Sequence, residues 1–193
     1  MCGLCTLLSA DRNAAEHLEA LEQSLQCMRH RGPDAAGTWH DEDAAFGFNR
    51  LSIIDLEHSD QPLRWGPEDN PERYALTFNG EIYNYVELRE ELSAAGYSFN
   101  TEGDGEPIVV GYHHWGKDVV EHLRGMFGFV IWDTETRTMF AGRDQFGIKP
   151  LYYATTDKGT VFASEMKCIL DMAESIGLDL SLDKRAIEHL SLI

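Results

Sequence analysis

The sequence predicts an α+β protein in which two antiparallel sheets stack on each other and helices cover their outer faces. The predicted strands come mostly as hairpins with helices grouped between them, an order that favours antiparallel sheets over an alternating parallel sheet. The hairpin strands are apolar on both faces, as in residues 126–132 (MFGFVIW). Because a sheet with one face in solvent alternates apolar and polar residues, we expect both faces of these strands to be buried.

The first part of the chain supplies three strands and one helix. Residues 2–9, 44–49 and 73–78 read as strands, and a helix is predicted at about 14–29, where apolar residues recur at helical spacing. The breaker-rich run RHRGPD ends that helix. Residues 60–72 contain three prolines and mixed charges, and they are predicted to form a mobile loop.

The second part alternates helices with two hairpins. Gly96 closes a helix predicted at 83–95, and Pro107 suits the first turn of a helix that runs to Trp115. The remaining predicted elements are a hairpin of 126–132 with 138–143, a hairpin of 151–155 with 160–163, a short helix at 165–171 and a final helix at 183–190.

Composition limits the classes of partner. The 193 residues suffice for one compact domain. A net charge of −17 argues against a nucleic-acid or anionic-membrane surface, because phosphates would be repelled. No apolar run approaches the roughly 20 residues of a membrane-spanning helix, and the N-terminal residues lack the pattern of a signal peptide. We therefore expect a cytoplasmic protein with reduced thiols.

Cys2 is the strongest candidate nucleophile, because only the initiator Met1 precedes it. If Met1 is removed, Cys2 carries both a thiol and a free α-amine. The thiolate is the reactive form of cysteine, and the amine titrates at about pH 8, so it can accept a proton near neutrality. Nucleophile and general base would then share one residue. The alternative is that Cys2 simply begins a strand.

Asn79 and Gly80 are candidates for an oxyanion hole, since a side-chain amide and an unshielded backbone N–H can converge on one oxygen. They lie where a predicted strand ends and a helix begins. The alternative is an ordinary Asn-Gly turn.

Arg50 and Asp104 could hold the charged ends of a substrate. A guanidinium binds a carboxylate through two parallel hydrogen bonds, and an acid between two glycines can receive an ammonium group. The alternatives are a surface arginine and a helix N-cap, with Glu106 in the first helical turn. Glu81 could be a polar contact or another first-turn acid. Free glutamine would use Arg50, Asp104, Cys2 and the Asn79/Gly80 pair, because it carries a carboxylate, an ammonium and a side-chain amide.

Cys2 and Cys5 form a C-x-x-C, which is also compatible with a redox pair or half of a zinc site. Zinc would need two more soft ligands at matching spacing, whereas Cys27 and Cys168 are isolated. On a strand, residues 2 and 5 face opposite sides. We therefore expect no metal site.

Six motifs, in order along nearly the whole chain, resemble the class II glutamine amidotransferase domain, most closely that of glutamine-hydrolysing asparagine synthetase. They occupy residues 1–3, 29–34, 50–55, 78–84, 103–106 and 142–153. The resemblance implies a four-layer αββα sandwich of the N-terminal nucleophile hydrolase type. It also implies that Cys2 attacks the glutamine side-chain amide to form a thioester, which water cleaves to glutamate.

The resemblance also assigns roles to individual residues. Asn79 and Gly80 would hold the oxyanion beside Cys2, with no cofactor in this domain. Residues implied to bind the substrate are Arg50, Leu51, Ser52, Ile53, Ile54, Asn79, Gly80, Glu81 and Asp104. The segments Arg29–Asp34 and Asp144–Lys149 would be structural or would contact another domain.

In this family, residues 1–193 would be a glutaminase domain truncated before a C-terminal synthetase domain, which would use ATP and magnesium to make asparagine from aspartate. The expected partners are glutamine and that domain, and a homodimer is possible. Three alternatives stay open: the glutaminase domain of another class II amidotransferase, a non-catalytic domain of the same fold, and a thiol or metal module.

Overall fold

The computed structural model describes residues 1–52 and 60–181. The strands in these ranges are β1 (Gly3–Ser9), β2 (Ala35–His40), β3 (Ala44–Arg50), β4 (Leu63–Trp65), β5 (Tyr74–Ile82), β6 (Gly125–Asp133), β7 (Thr138–Arg143), β8 (Tyr152–Thr156) and β9 (Gly159–Ala163). The α-helices are α1 (Leu18–Cys27), α2 (Tyr85–Ala94), α3 (Glu106–Trp115), α4 (Val119–His122) and α5 (Met166–Asp171), with short 3₁₀ turns at Ala14–His17, Arg29–Arg31 and Gly116–Asp118.

These strands form two antiparallel sheets. The first sheet has the order β2-β3-β1-β9-β8 and the second β4-β5-β6-β7. Helices α1 and α5 pack on the outer face of the first sheet, and α2 and α3 pack on the outer face of the second. The predicted αββα sandwich is confirmed.

Side chains of the central strand β1 point alternately to the two faces of the first sheet, and both faces are buried. Leu4 points between the sheets, where it packs with Phe46 and Trp132. Cys5 and Leu7 join the cluster under the helices of the outer layer. All five side chains are at most 1% exposed, so each sheet has an apolar layer on both sides.

Two strands differ from the sequence-based prediction. Strand β4 lies inside residues 60–72, which were expected to be a mobile loop, and that expectation is wrong. Leu63 and Trp65 are buried there, and Leu63 pairs with Leu76 of β5. Strand β2 was not predicted, because it is an edge strand with largely exposed side chains and therefore carries little apolar periodicity.

The other predicted elements are present with shifted bounds, most of them by one or two residues. Strand β5 continues four residues past the predicted end at Phe78, to Ile82. The first predicted helix opens with a 3₁₀ turn, and α1 itself ends at Cys27. The helix predicted at 183–190 lies outside the described residues. Every helix in residues 1–52 and 60–181 is too short to cross a bilayer.

Glu106 fixes the loop that precedes α3. It is 1% exposed, and its carboxylate accepts hydrogen bonds from the N–H of Asn100 (2.7 Å) and from the N–H and hydroxyl of Thr101 (both 2.8 Å). It therefore does more than occupy the first helical turn, because it anchors the loop that carries Asp104.

Glu106→Ala should lower the free energy of unfolding by about 3 kcal/mol, because three hydrogen-bond donors would lose a buried charged acceptor. Urea denaturation of the variant measures the loss. Glu90→Ala is the matched control, since Glu90 is exposed on α2 and its removal should change stability by less than about 0.5 kcal/mol. Equal stability of the two variants would contradict the anchoring role.

Candidate active site

Strand β1 delivers Cys2 to one end of the gap between the sheets. Gly3 pairs with Asn49 of β3, so the residue before it lies beside the end of that strand. The Cys2 Sγ is 3.4 Å from the backbone nitrogen of Leu51 and 3.6 Å from its carbonyl oxygen. The Arg31 guanidinium donates to the carbonyl of Cys2 at 2.9 Å. The thiol is therefore held in one place by main-chain contacts on both sides.

Close packing explains the glycine that follows Cys2. A Cβ at Gly3 would meet the Sδ of Met28 at 2.8 Å and the Cδ of Arg31 at 3.5 Å. The absence of a side chain lets α1 and the following 3₁₀ turn approach β1 and brings Arg31 within reach of Cys2.

Asn79 lies in the second sheet, opposite the first-sheet strands that position Cys2. It pairs with Gly128 of β6 and is 1% exposed. Its side-chain Nδ2 is buried and has no hydrogen-bond partner among residues 1–52 and 60–181. An unpaired buried donor is costly, so this amide is available to an acceptor that enters the cavity. The Asn-Gly turn considered from the sequence is wrong, because both residues are inside β5.

Gly80 presents its N–H on the edge of β5 that faces away from β6. The N–H groups of Phe78 and Ile82 are bonded to the side chains of Gln61 (2.6 Å) and Asp104 (2.9 Å). Alternate residues of a strand direct their N–H groups to the same side, so that of Gly80 lies between these two bonds. A Cβ at this position would lie 2.2 Å from the Met126 carbonyl oxygen, so only glycine can occupy it.

Asp104 faces the cavity from the loop before α3. It is 8% exposed, and its Oδ2 accepts the Ile82 N–H. Burial raises the pKa of this carboxyl, and Glu81 acts in the same direction, while backbone hydrogen bonds oppose the shift. The N-cap alternative is wrong, because Gly105 occupies that position and α3 has no side-chain cap.

Arg50 ends β3 and is 7% exposed, so it is not the surface arginine considered above. Its Nη1 lies 2.8 Å from the carboxylate of Asp60, which is itself largely exposed. The guanidinium is thus held at the wall of the cavity by an acid on its solvent side.

A cavity of about 270 Å³ brings these groups together. The predicted site residues that line it are Cys2, Arg50, Leu51, Asn79, Gly80, Glu81 and Asp104. Ser52 does not line it, since its N–H donates to Asp34 at 2.8 Å. Ile53 and Ile54 lie outside the described residues. His30 is bonded to Glu165 at 2.9 Å and is not among the lining residues.

Two lining residues with polar side chains were missed from the sequence, Gln61 and Lys149. Gln61 belongs to the segment expected to be a mobile loop, and its side chain pairs with both backbone groups of Phe78. Lys149 belongs to a segment in which no chemistry was recognised. Neither carries a local sequence signal, because only the chain path brings them to the cavity.

The geometry of the C-x-x-C agrees with a strand. Cys2 lines the cavity, whereas Cys5 is fully buried in the cluster under α1 and α5. In the part of the chain that the structure describes, no group of three or more His, Cys, Asp or Glu side chains could hold a metal ion.

Taken together, the cavity offers a thiol, two neutral donors on the opposite wall, a guanidinium and a buried carboxylate. Burial raises the pKa of the Cys2 thiol, against the opposing effects of the Leu51 hydrogen bond and nearby positive charges. The resting sulfur is therefore protonated near neutral pH, and a nucleophilic attack by it requires a base.

Comparisons of the sequence with known proteins agree on one family. Residues 1–192 match the glutamine amidotransferase domain family. The putative asparagine synthetase [glutamine-hydrolyzing] of Mycobacterium tuberculosis (strain ATCC 25618 / H37Rv) is 54% identical over all of this chain and 31% of its own length. Asparagine synthetase [glutamine-hydrolyzing] 1 of Bacillus subtilis (strain 168) is 46% identical over 98% of this chain and 29% of its own length. The chain thus spans less than a third of these relatives.

Solved structures share the fold at lower identity. Glutamine phosphoribosylpyrophosphate amidotransferase from B. subtilis, complexed with ADP and GMP, superposes with a TM-score of 0.71 at 20% identity, over 89% of this chain and 44% of that one. A structure described as the allosteric regulatory enzyme of purine biosynthesis gives 0.73 at 20% identity, over 89% of this chain and 43% of that one. These likenesses show a common architecture.

Proposed function

This chain belongs to the glutamine amidotransferase domain family, and from that premise we propose that its cavity hydrolyses the side-chain amide of glutamine to glutamate and ammonia. The observation that carries the proposal is the convergence of Cys2, Asn79, Arg50 and Asp104 on one cavity of about 270 Å³. These residues are up to 102 positions apart in the chain, yet together they match every charged or reactive part of free glutamine.

Removal of Met1 would complete the nucleophile. Met1 lines the cavity in the structure, so its loss leaves room beside the sulfur and frees the α-amine of Cys2. The amine takes the thiol proton as the sulfur bonds to the amide carbon of glutamine. The side chain of Asn79 and the N–H of Gly80 hold the resulting oxyanion.

The remaining steps return the site to its starting state. The protonated amine gives its proton to the departing nitrogen, the C–N bond breaks, and ammonia leaves a thioester on Cys2. A water molecule then loses a proton to the amine and bonds to the thioester carbon. The C–S bond breaks, the sulfur regains its proton, and glutamate is released.

Charge complementarity positions the substrate. In the proposed complex the Arg50 guanidinium holds the α-carboxylate, and the Asp104 carboxylate holds the α-ammonium. Glu81 and Leu51, which line the cavity, would assist, together with the backbone near Ile53 and Ile54. Because a cation and an anion are both required at fixed positions, simple amides should be poor substrates.

The fate of the ammonia is proposed from the relatives' names. Those compared above are called asparagine synthetase [glutamine-hydrolyzing], and this chain matches less than a third of each. We infer that the domain works with a C-terminal synthetase domain that makes asparagine from aspartate with ATP and magnesium, in the cytoplasm. The relatives' identity of 46–54% favours this acceptor over that of the phosphoribosylpyrophosphate amidotransferase, whose identity is 20%.

The direct test is glutamate release by protein whose mass shows that Met1 has been lost. Cys2→Ala should abolish thiol-dependent glutamate release from glutamine, because it removes the atom that forms the thioester. Cys27→Ala is the matched control, since Cys27 is exposed and does not line the cavity, and its activity should equal that of the parent chain. Full glutaminase activity of a processed Cys2→Ala chain would refute the proposal.

Asn79→Ala should lower kcat by about 10²–10³-fold and change KM little, because its amide donates to an oxygen that is charged only during the reaction. Steady-state kinetics with glutamine measures both constants. The control is Asn100→Ala, whose side chain is exposed and whose loss should leave kcat unaltered. A change confined to KM would assign Asn79 to ground-state binding instead.

Asp104→Asn should raise KM for glutamine on the order of 100-fold, since the substrate ammonium would lose its counter-ion. In the parent chain KM should rise as the pH falls. Burial raises the pKa of this carboxyl, so it becomes protonated as the pH drops towards that pKa, and the protonated form cannot pair with ammonium. The variant should lack this acidic rise. Asp11→Asn serves as an exposed control, and an unchanged KM in the Asp104 variant would exclude the ammonium-binding role.

A further inference from the structure

Lys149 brings an additional positive charge to the cavity that none of the steps above uses. It is 8% exposed and lines the same space as Cys2, Asn79 and Asp104. Within residues 1–52 and 60–181 its ammonium group has no hydrogen bond or ion pair. Its Nζ is not one of the fully buried, unpartnered polar atoms of these ranges, so the ammonium group keeps contact with accessible space and can act on an anionic group that forms in the cavity.

Main-chain bonds hold Lys149 in position. The carboxylate of Asp144 accepts from the N–H of Lys149 at 3.0 Å and from that of Ile148 at 2.9 Å. The Arg143 guanidinium donates to the Lys149 carbonyl at 2.7 Å. None of these contacts uses the lysine side chain, so a substitution at this position leaves the loop's anchoring intact.

The other cationic side chains near Cys2 each have an acidic partner, since Arg50 pairs with Asp60 and Arg31 with Glu165. Positive charges at Cys2 come from the chain's amine, Arg50 and Lys149, against the burial that disfavours the thiolate. Arg31 binds the Cys2 carbonyl and is itself paired with Glu165 at 3.3 Å.

Free glutamine is a zwitterion, so its binding brings no net charge that would neutralise Lys149. Arg50 pairs with Asp60 and, in the proposed complex, with the substrate carboxylate, while the acids Glu81 and Asp104 face the substrate ammonium. Among the lining residues that the structure describes, Lys149 is then the cation that pairs neither with an acidic side chain nor with an end of glutamine.

We propose that Lys149 is a positioning residue of this site, whose charge stabilises the anionic sulfur of Cys2 and the oxyanion that forms beside it. The same charge disfavours protonation of the Cys2 α-amine and so keeps that amine available as a base. The inference rests on the proposed role of Cys2 as nucleophile, but it concerns the thiol's ionisation and not the identity of the substrate.

The test follows alkylation of Cys2 by iodoacetamide, an uncharged reagent, as a function of pH in the full chain. Peptide mass spectrometry separates Cys2 from Cys27, whose exposed thiol is an internal reference in each sample. In Lys149→Met the Cys2 rate at pH 7 should fall about 3–10-fold and its pH midpoint should move upward, because a nearby cation favours the thiolate. Lys149→Arg should react like the parent chain.

The controls separate charge from structure. Lys117→Met removes an equal charge from an exposed position outside the cavity lining and should leave the Cys2 rate unchanged. Lys149→Gln repeats the measurement if the methionine variant does not fold. The proposal is overturned if both neutral variants react as the parent does, or if Lys149→Arg slows as much as they do.

The readout also separates this inference from the glutaminase proposal. Alkylation needs no glutamine, so a chain without glutaminase activity would still show whether Lys149 acts on the sulfur. If the parent chain hydrolyses glutamine but Cys2 of the neutral variants is alkylated at the parent rate, the role of Lys149 is refuted and the glutaminase proposal stands.

Discussion

The pairing of β1 between β3 and β9 is the constraint on which the rest of the structure depends. Terminal residues of a chain usually fray, yet here the second residue of the sequence directly precedes β1, which is paired on both sides, and the Arg31 guanidinium binds its carbonyl. A nucleophile that also uses its own α-amine must be terminal. The sheet therefore supplies the rigidity that such a position would otherwise lack.

Much of the fold could be predicted from the sequence because its strands have unmistakable local patterns. The apolar run 126–132 corresponds to β6, and the glycine at 96 does follow α2 with a positive φ of 98°. The edge strand β2 and the three-residue β4 were missed for the same reason, since neither has enough periodic residues to give a signal. Each is an edge strand that pairs with the next strand of the chain, β2 with β3 and β4 with β5, and that pairing leaves no pattern in its own residues.

The candidate site was only partly predictable, because some of its residues have a distinctive local sequence and others reach the cavity only through the path of the chain. Cys2, Asn79 and Asp104 have unusual local contexts, namely a terminal cysteine, an Asn-Gly pair and an acid between glycines. Their roles in glutamine hydrolysis stay predictions, although the structure places them around one cavity. Lys149 has an ordinary context. Only the path of the chain from β7 to β8 turns it into a wall of the cavity, and no pattern of neighbouring residues records that path.

The two sheets contribute different chemistry, so their packing sets the geometry of the site. The first sheet positions Cys2, Arg50 and Leu51, whereas the proposed oxyanion donors, Asn79 and Gly80, lie on β5 of the second sheet. The distance between sulfur and oxyanion donors is therefore a distance between sheets. It is fixed by the apolar layer between them, where Phe46, Val130 and Trp132 are at most 1% exposed. Because such layers are close-packed and resist compression, side chains that take no part in the chemistry determine whether an attacking sulfur and its oxyanion donors can act on the same carbonyl.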